Sequence, residues 1–297
     1  MQNKVLIIKL GALGDIVQAS SAFAALRQFH EKDRLTLLTT APYQEMTAKM
    51  GYFDEIILDD RFKLFQLNKL FNFRKYLRSQ GFQKIYDLQN VDRTQLYSCL
   101  IGRKSEWVAP CKKDCTLHPQ ERFERLFSCL DIPFKADISL NHLAEPNGFN
   151  ILNPYALLIP GASLAHGARK RWPEEKYAEL ASYLIGKKIQ PVLIGGPLEN
   201  FDLIKNKVPE IIDLCGKTTF YQIIGLAGKA LCAIGNDTGP TLLAASGGCK
   251  TLTFYASCNP PNLGGARGLK HIGLYEPHLK DLDTSTVIKA LEEFLPL

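Results

Sequence analysis

The sequence predicts an α/β protein of two doubly wound, Rossmann-like domains facing each other across a cleft. Three observations predict it. The chain has 297 residues, about twice the ~150 that one core usually organises. Short β-rich runs alternate with stretches long enough for crossover helices, the pattern of parallel sheets. A polar, breaker-rich stretch holding Asn141, Glu145, Pro146, Asn147, Gly148, Asn150, Asn153 and Pro154 interrupts the alternation, which places the expected domains at 1–150 and 151–297.

In the first half, residues 4–10 read as a strand ending in Gly11-Ala12-Leu13-Gly14, followed by Asp15 and an apolar helical pattern through Ile16, Ala19, Phe23 and Leu26. Strand-like runs recur at 35–39, 55–58 and 84–88. After the linker the scheme restarts with a strand at 155–159, a small-residue loop, a helix at 173–185 and a strand at 190–194 that ends in Gly195-Gly196-Pro197. Strands at 230–234 and 251–255 and an amphipathic helix at 284–294 complete it. Ligands of open α/β sheets bind outside the carboxyl ends of the strands, so the loops at 11–15, 160–171, 195–199 and 235–240 are where chemistry is expected.

Composition excludes several classes. Hydrophobic residues make up 46% and charged residues 22%, ordinary globular usage that sets disordered, collagen-like and coiled-coil chains aside. Apolar runs such as Val5-Leu6-Ile7-Ile8 fall far short of the roughly 18 residues of a spanning helix, and no signal peptide is read at the start, so a cytoplasmic location is expected. Eight scattered cysteines are expected to be reduced thiols. Cys111, Cys115 and His118 cluster, but no second pair follows at zinc-finger distance, so no metal site is expected.

Each chemically suggestive loop has a bland and a functional reading. Gly11 and Gly14 have neither dinucleotide-fingerprint nor Walker spacing, which removes support for nicotinamide and P-loop chemistry. Asp15 would repel a phosphate at a helix start; it is either an N-cap or a general base for an attacking hydroxyl. Gly235-Asn236-Asp237-Thr238-Gly239-Pro240 follows a strand and precedes a helix at 241–245, either as an anion-binding turn or as a plain cap with Pro240 near the first helical position. Arg169, Lys170 and Arg171 are the charge a leaving diphosphate would need, or a solvated turn anchored by Trp172. Between Arg61 and Lys84 lie seven basic residues (Arg61, Lys63, Lys69, Arg74, Lys75, Arg78, Lys84) and no acidic one, interleaved with aromatics. The chain's net charge of +6 is therefore concentrated in a segment suited to an anionic lipid surface. A basic solvent face of a packed helix explains the same pattern, and no nucleic-acid-binding signature accompanies it.

The opening Ile8-Lys9-Leu10-Gly11-Ala12-Leu13-Gly14-Asp15, the loop from Pro160 to Lys170-Arg171-Trp172-Pro173, Gly195-Gly196-Pro197-Leu198-Glu199, and Gly235 to Pro240 together resemble glycosyltransferase family 9, best known for the ADP-heptose:lipopolysaccharide heptosyltransferases. The resemblance runs on to Asn259-Pro260 and Gly264-Gly265-Ala266-Arg267-Gly268. It implies a GT-B architecture with the acceptor on the first domain and the sugar nucleotide on the second, and inverting transfer without metal or cofactor. By the same resemblance Asp15 is the catalytic base, and Lys170 neutralises the leaving diphosphate held by Asp237, Thr238 and Gly239. Glu199 binds the ribose, and Thr218 and Thr219 lie beside the adenine. Gly14, Arg61, Lys63 and Lys69 are expected at the acceptor. The family's usual histidine in the diphosphate loop is Leu242 here. The implied reaction moves heptose, or a related sugar, from an ADP-sugar to a lipopolysaccharide inner-core acceptor, on a protein peripheral to the cytoplasmic face of the inner membrane. A non-catalytic or altered-donor binding protein of the same fold is the alternative.

Overall fold

The computed structural model describes residues 2–62, 66–101, 105–146, 148–151, 154–162 and 169–295. The chain divides into two compact units, 1–138 and 139–297. In the first, β1 (Lys4–Ile8), β2 (Arg34–Thr39), β3 (Glu55–Leu58), β4 (Lys84–Asp87) and β5 (Glu106–Val108) form a sheet in the order β3-β2-β1-β4-β5, parallel at every pairing. The intervening helices are α1 (Leu13–Phe29), α2 (Gln44–Lys49), α3 (Leu67–Gln80) and α4 (Asp92–Ile101), and α5 (Pro119–Ser128) follows. The order reverses at β1, where doubly wound sheets bind ligands just beyond the strand ends.

The second unit repeats the plan with β6 (Tyr155–Ile159), α6 (Glu174–Gly186), β7 (Gln190–Leu193), α7 (Asp202–Lys207), β8 (Ile212–Asp213), α8 (Phe220–Ala227), β9 (Cys232–Asn236), α9 (Gly239–Ser246), β10 (Thr251–Tyr255), β11 (His271–Tyr275) and α10 (Thr284–Phe294). Its parallel sheet runs β11-β10-β9-β6-β7-β8. Strands β6, β9 and β10 are buried along their whole length, as central strands covered on both faces must be. Trp172, the largest fully buried side chain, packs with ring centroids 4.8 Å from both Tyr177 and Phe254.

Two sequence expectations change. The division falls at 138/139 rather than 150/151. The polar stretch is no free linker: Leu140 and Leu143 are buried, and the Leu140 and Glu145 amides donate to Ser246 O (2.9 Å) and Tyr221 O (3.2 Å) of the second unit. Strands β5, β8 and β11 escaped the sequence reading. They are sheet edges of three, two and five residues, too short or too exposed to show an apolar run. Among the described residues no helix is long and apolar enough to cross a membrane.

Candidate functional site

In the first unit the candidate residues gather beyond the end of β1. Gly11 has φ +116°, and a Cβ there would lie 2.3 Å from the Tyr43 ring, so only glycine fits this turn. The chain then enters α1 with Ala12 as its N-cap. Asp15 is therefore not the cap that its position suggested; it is the third helical residue, and its Oδ2 accepts the Ala12 amide at 2.9 Å. This is the carboxylate half of a capping box. Its Oδ1 lies 4.0 Å from Lys9 Nζ, and the Asp15 side chain stays 45% exposed, so one oxygen is pinned and the carboxylate still meets solvent. Gly14 sits beside it in the first turn of α1.

Arg61 comes to the same place. Its backbone has φ 52°, its amide donates to Asp59 Oδ1 at 2.7 Å, and its Nη2 lies 3.4 Å from Leu10 O. Asp59 is the anchor: fully buried, it also accepts Arg93 Nη2 (2.6 Å), Arg93 Nε (2.9 Å) and Tyr97 Oη (2.6 Å). Burial pushes its pKa up, but the hydrogen bonds from Arg93, Tyr97 and the Arg61 amide more than reverse this and hold it below the usual carboxylate range. Lys63 falls outside the described residues. Lys69 stands on the exposed face of α3 with Phe71, Lys75 and Tyr76, while Phe73 and Leu77 of that helix are buried. Sequence reasoning missed Arg122 of α5. The helix is tied to α1 by Gln120, whose Nε2 donates to Gln18 O and whose Oε1 accepts Ser21 Oγ at 2.8 Å, and the Arg122 charge is felt at Lys9. The only local signal was the His118-Pro119 helix start. His118 is buried as that helix's cap, whereas Cys111 and Cys115 are exposed. Among the described residues, no three His, Cys, Asp or Glu side chains are grouped to hold a metal ion.

In the second unit the loops at 160–162, 169–173, 195–199 and 235–240 are joined by direct contacts. Lys170 Nζ lies 3.3 Å from Asp237 Oδ2, which also accepts Asn259 Nδ2 at 3.1 Å. Both charged side chains are largely buried, so a neutralised pair stands at the mouth of α9. Thr238 is the N-cap of that helix, yet its hydroxyl makes no capping bond; it lies 3.3 Å from Thr241 Oγ1. Gly239 opens the helix, and Pro240 follows without an N–H. The first-turn amides have no intrahelical acceptor and are directed outward.

Asn236, wholly buried, locks the neighbouring loops. Its Nδ2 donates to Pro160 O (2.7 Å) and Gly161 O (3.3 Å), and its Oδ1 accepts the Trp172 amide (3.0 Å). Glu199 Oε2 accepts the Gly196 amide at 2.8 Å, and Oε1 lies 4.0 Å from Arg171 Nη2. The carboxylate lies so close over Gly161 that a Cβ there would meet it at 2.3–2.6 Å. The turn leading to Thr218 and Thr219 adjoins this loop through Gly216 N to Gly195 O, 2.9 Å. Thr219 caps α8, its Oγ1 accepting the Gln222 amide at 3.1 Å, so its hydroxyl already serves the fold. Leu242 is buried in a small gap lined by Asp237, Thr241, Thr253, Gly265 and Ala266.

A family model described as glycosyltransferase family 9 (heptosyltransferase) matches residues 128–290, more than half of the chain. A curated relative, the lipopolysaccharide core heptosyltransferase OpsX of Haemophilus influenzae, is 20% identical over 279 residues, 86% of this chain and 79% of the relative. The solved E. coli ADP-heptose lipopolysaccharide heptosyltransferase II superposes with TM-score 0.76 at 19% identity, covering 99% of this chain and 98% of that one. E. coli heptosyltransferase WaaC with ADP gives TM-score 0.76 at 18% identity, covering 98% and 99%. The two parallel sheets share the GT-B fold of these structures.

Proposed function

Because the chain belongs to glycosyltransferase family 9, we propose that it transfers heptose from ADP-heptose to a lipopolysaccharide inner-core hydroxyl, with inversion and without a metal. The observation that carries this reading is the array at the start of α9: Lys170 on Asp237, Asn259 behind it, and unpaired first-turn amides beside Thr238 and Gly239. A diphosphate is the anion such an array accommodates, through backbone N–H groups and one nearby ammonium. In this reading Glu199, whose Oε2 accepts the Gly196 amide, takes the ribose hydroxyls, and the backbone at Thr218 and Thr219 meets the adenine.

Asp15 is the base in this reading. It takes the proton of the acceptor hydroxyl as that oxygen bonds to the anomeric carbon from the face opposite the nucleotide, and the electron pair of the breaking C–O bond passes to the diphosphate. One base and one stabilised leaving group suffice for inversion, and a pair of carboxylates is needed for neither step. Arg61 and Arg122 are the cations that would draw an anionic acceptor toward Asp15. The basic, aromatic outer face of α3 supports peripheral contact with an anionic membrane surface. Buried Leu242 favours a second reading, a donor other than ADP-heptose, because it offers no hydrogen-bond donor where the family usually carries histidine.

Incubation with a panel of sugar nucleotides and truncated lipopolysaccharide, followed by mass spectrometry, is expected to show the gain of one heptose from ADP-heptose only. Asp15→Asn should abolish the gain while ADP still binds in calorimetry. Undiminished turnover by that variant would overturn the base assignment, and addition of a different sugar would establish the second reading.

A further inference from the structure

We propose that Lys9 is a positioning residue for Asp15, setting the plane of its carboxylate from beneath; this rests on Asp15 being the base. Lys9 continues β1, its amide donating to Leu38 O at 3.0 Å. Its side chain turns into the protein, leaving the residue 7% exposed. The ammonium donates to Leu88 O at 3.3 Å beyond the end of β4, and Asp15 Oδ1 lies 4.0 Å from it. Lysine is almost never buried to this degree without a partner, and an apolar side chain of the same length would fill the space at lower cost.

The two oxygens of Asp15 have different neighbours. Oδ2 takes the Ala12 amide; this atom lies off the Cβ–Cγ axis, so the single hydrogen bond already restrains rotation about that bond, and a contact at the other oxygen tightens it. Oδ1 faces the Lys9 charge. The Ala12 N–H and the Lys9 ammonium thus restrain the carboxylate plane through different oxygens, and the acceptor hydroxyl then meets a base already oriented. Such pre-orientation acts on the rate, because small misplacements of a reacting group cost up to about a hundredfold.

Burial is the largest influence on Lys9 and brings its pKa below the usual lysine range; Asp15 opposes this, Arg122 adds to the lowering and Asp87 opposes it. Asp87, the residue paired with Ile8 at the end of β4, has no exposed surface, and its Oδ1 accepts the Asn90 and Gln89 amides at 2.8 and 3.2 Å. Arg61 reaches Leu10 O, and the Tyr43 ring lies against Gly11. Lys9 thus stands between an exposed carboxylate that would do chemistry and a buried one that supports its own charge.

The test compares Lys9→Met, Asp87→Asn and Asp15→Asn in full-length protein with ADP-heptose and deacylated lipopolysaccharide inner core. Lys9→Met is expected to lower kcat about 10- to 100-fold with both KM values and the ADP affinity within about threefold. Asp87→Asn removes a charge that holds the Lys9 proton, so kcat should fall off on the alkaline side at lower pH than in the parent. An inactive Asp15→Asn with a fully active Lys9→Met would overturn the Lys9 inference alone, whereas an active Asp15→Asn would remove the reading beneath it. If Lys9→Met fails to fold, the alkaline limb of Asp87→Asn decides, and an unmoved limb refutes the inference.

Discussion

Replacing Asp59 by Asn removes one charge from the middle of the first unit and changes almost no volume. In the parent the carboxylate is fully buried and accepts four hydrogen bonds, from Arg93 Nη2, Arg93 Nε, Tyr97 Oη and the Arg61 amide. An amide offers only one acceptor oxygen, so part of that set would meet an NH2 group donor to donor. Breaking a buried ion pair costs about 3–5 kcal/mol, and the 31% exposure of the Arg93 side chain lets water recover some of it, giving about 3 kcal/mol. At about 3 °C per kcal/mol for a unit of this size, the melting temperature should fall by roughly 9 °C. The pH dependence has a fixed sign. The folded pKa of Asp59 lies below its unfolded value, so its contribution is full above the unfolded pKa of about 3.9 and is lost as the pH falls through the folded one. Thermal melts followed by circular dichroism should therefore show a gap between parent and variant that is constant from pH 7 to about pH 5 and narrows only on further acidification. A gap under 2 °C at pH 7, or one that widens in acid, would refute the account.

Other outcomes follow from the same geometry. Lys170→Met leaves Asp237 without its cation and should weaken ADP binding by about 10- to 100-fold in calorimetry, the worth of one charge-assisted contact; unchanged affinity would remove Lys170 from the donor site. Gly161→Ala drives a methyl into the Glu199 carboxylate, so it should raise the donor KM as much as Glu199→Gln does while acceptor KM stays level. A melting temperature lowered by more than a few degrees would instead show that the backbone had moved. Reversing the charges of exposed Lys69 and Lys75 together should weaken sedimentation with phosphatidylglycerol vesicles at least tenfold at low salt, from about 1 kcal/mol per charge, with transfer to a soluble acceptor unaffected. Equal binding by both proteins would separate α3 from the membrane.

What could be read before the structure divides along physical lines. Central strand Tyr155–Ile159 announces itself because burial on both faces demands a continuous apolar run, and Thr251–Tyr255 does so by its β-branched and aromatic residues. The glycine at 11 and the Gly-Asn-Asp-Thr-Gly-Pro run sit where strands end, so the candidate loops were visible as punctuation. Edge strand Ile212–Asp213 has no such requirement. Arg122 was invisible because it approaches Lys9 only through the packing of α5 on α1, a contact between residues a hundred positions apart. Of the two readings of Asp15, the structure removes the N-cap: a helix start attracts carboxylates at the cap and at the third residue alike, and sequence distinguishes the two poorly. The stretch near 141–154 misled because composition reports polarity, whereas Leu140 and Leu143 decide where it packs.

Asn236 ties the loops of the second unit to one another. One buried amide clasps the chain at Pro160 and Gly161 before the 163–168 segment and at Trp172 after it. Trp172 is fastened again by its indole N–H on Leu282 O at 2.9 Å, and Arg171 reaches back to Ala162 O at 3.0 Å. The chain is therefore staked to the sheet at 160–162 and again at 171–172. Lys170 therefore keeps its station beside Asp237 through contacts made by its immediate neighbours, so that the position of this cation is set by the sheet itself and by one buried amide.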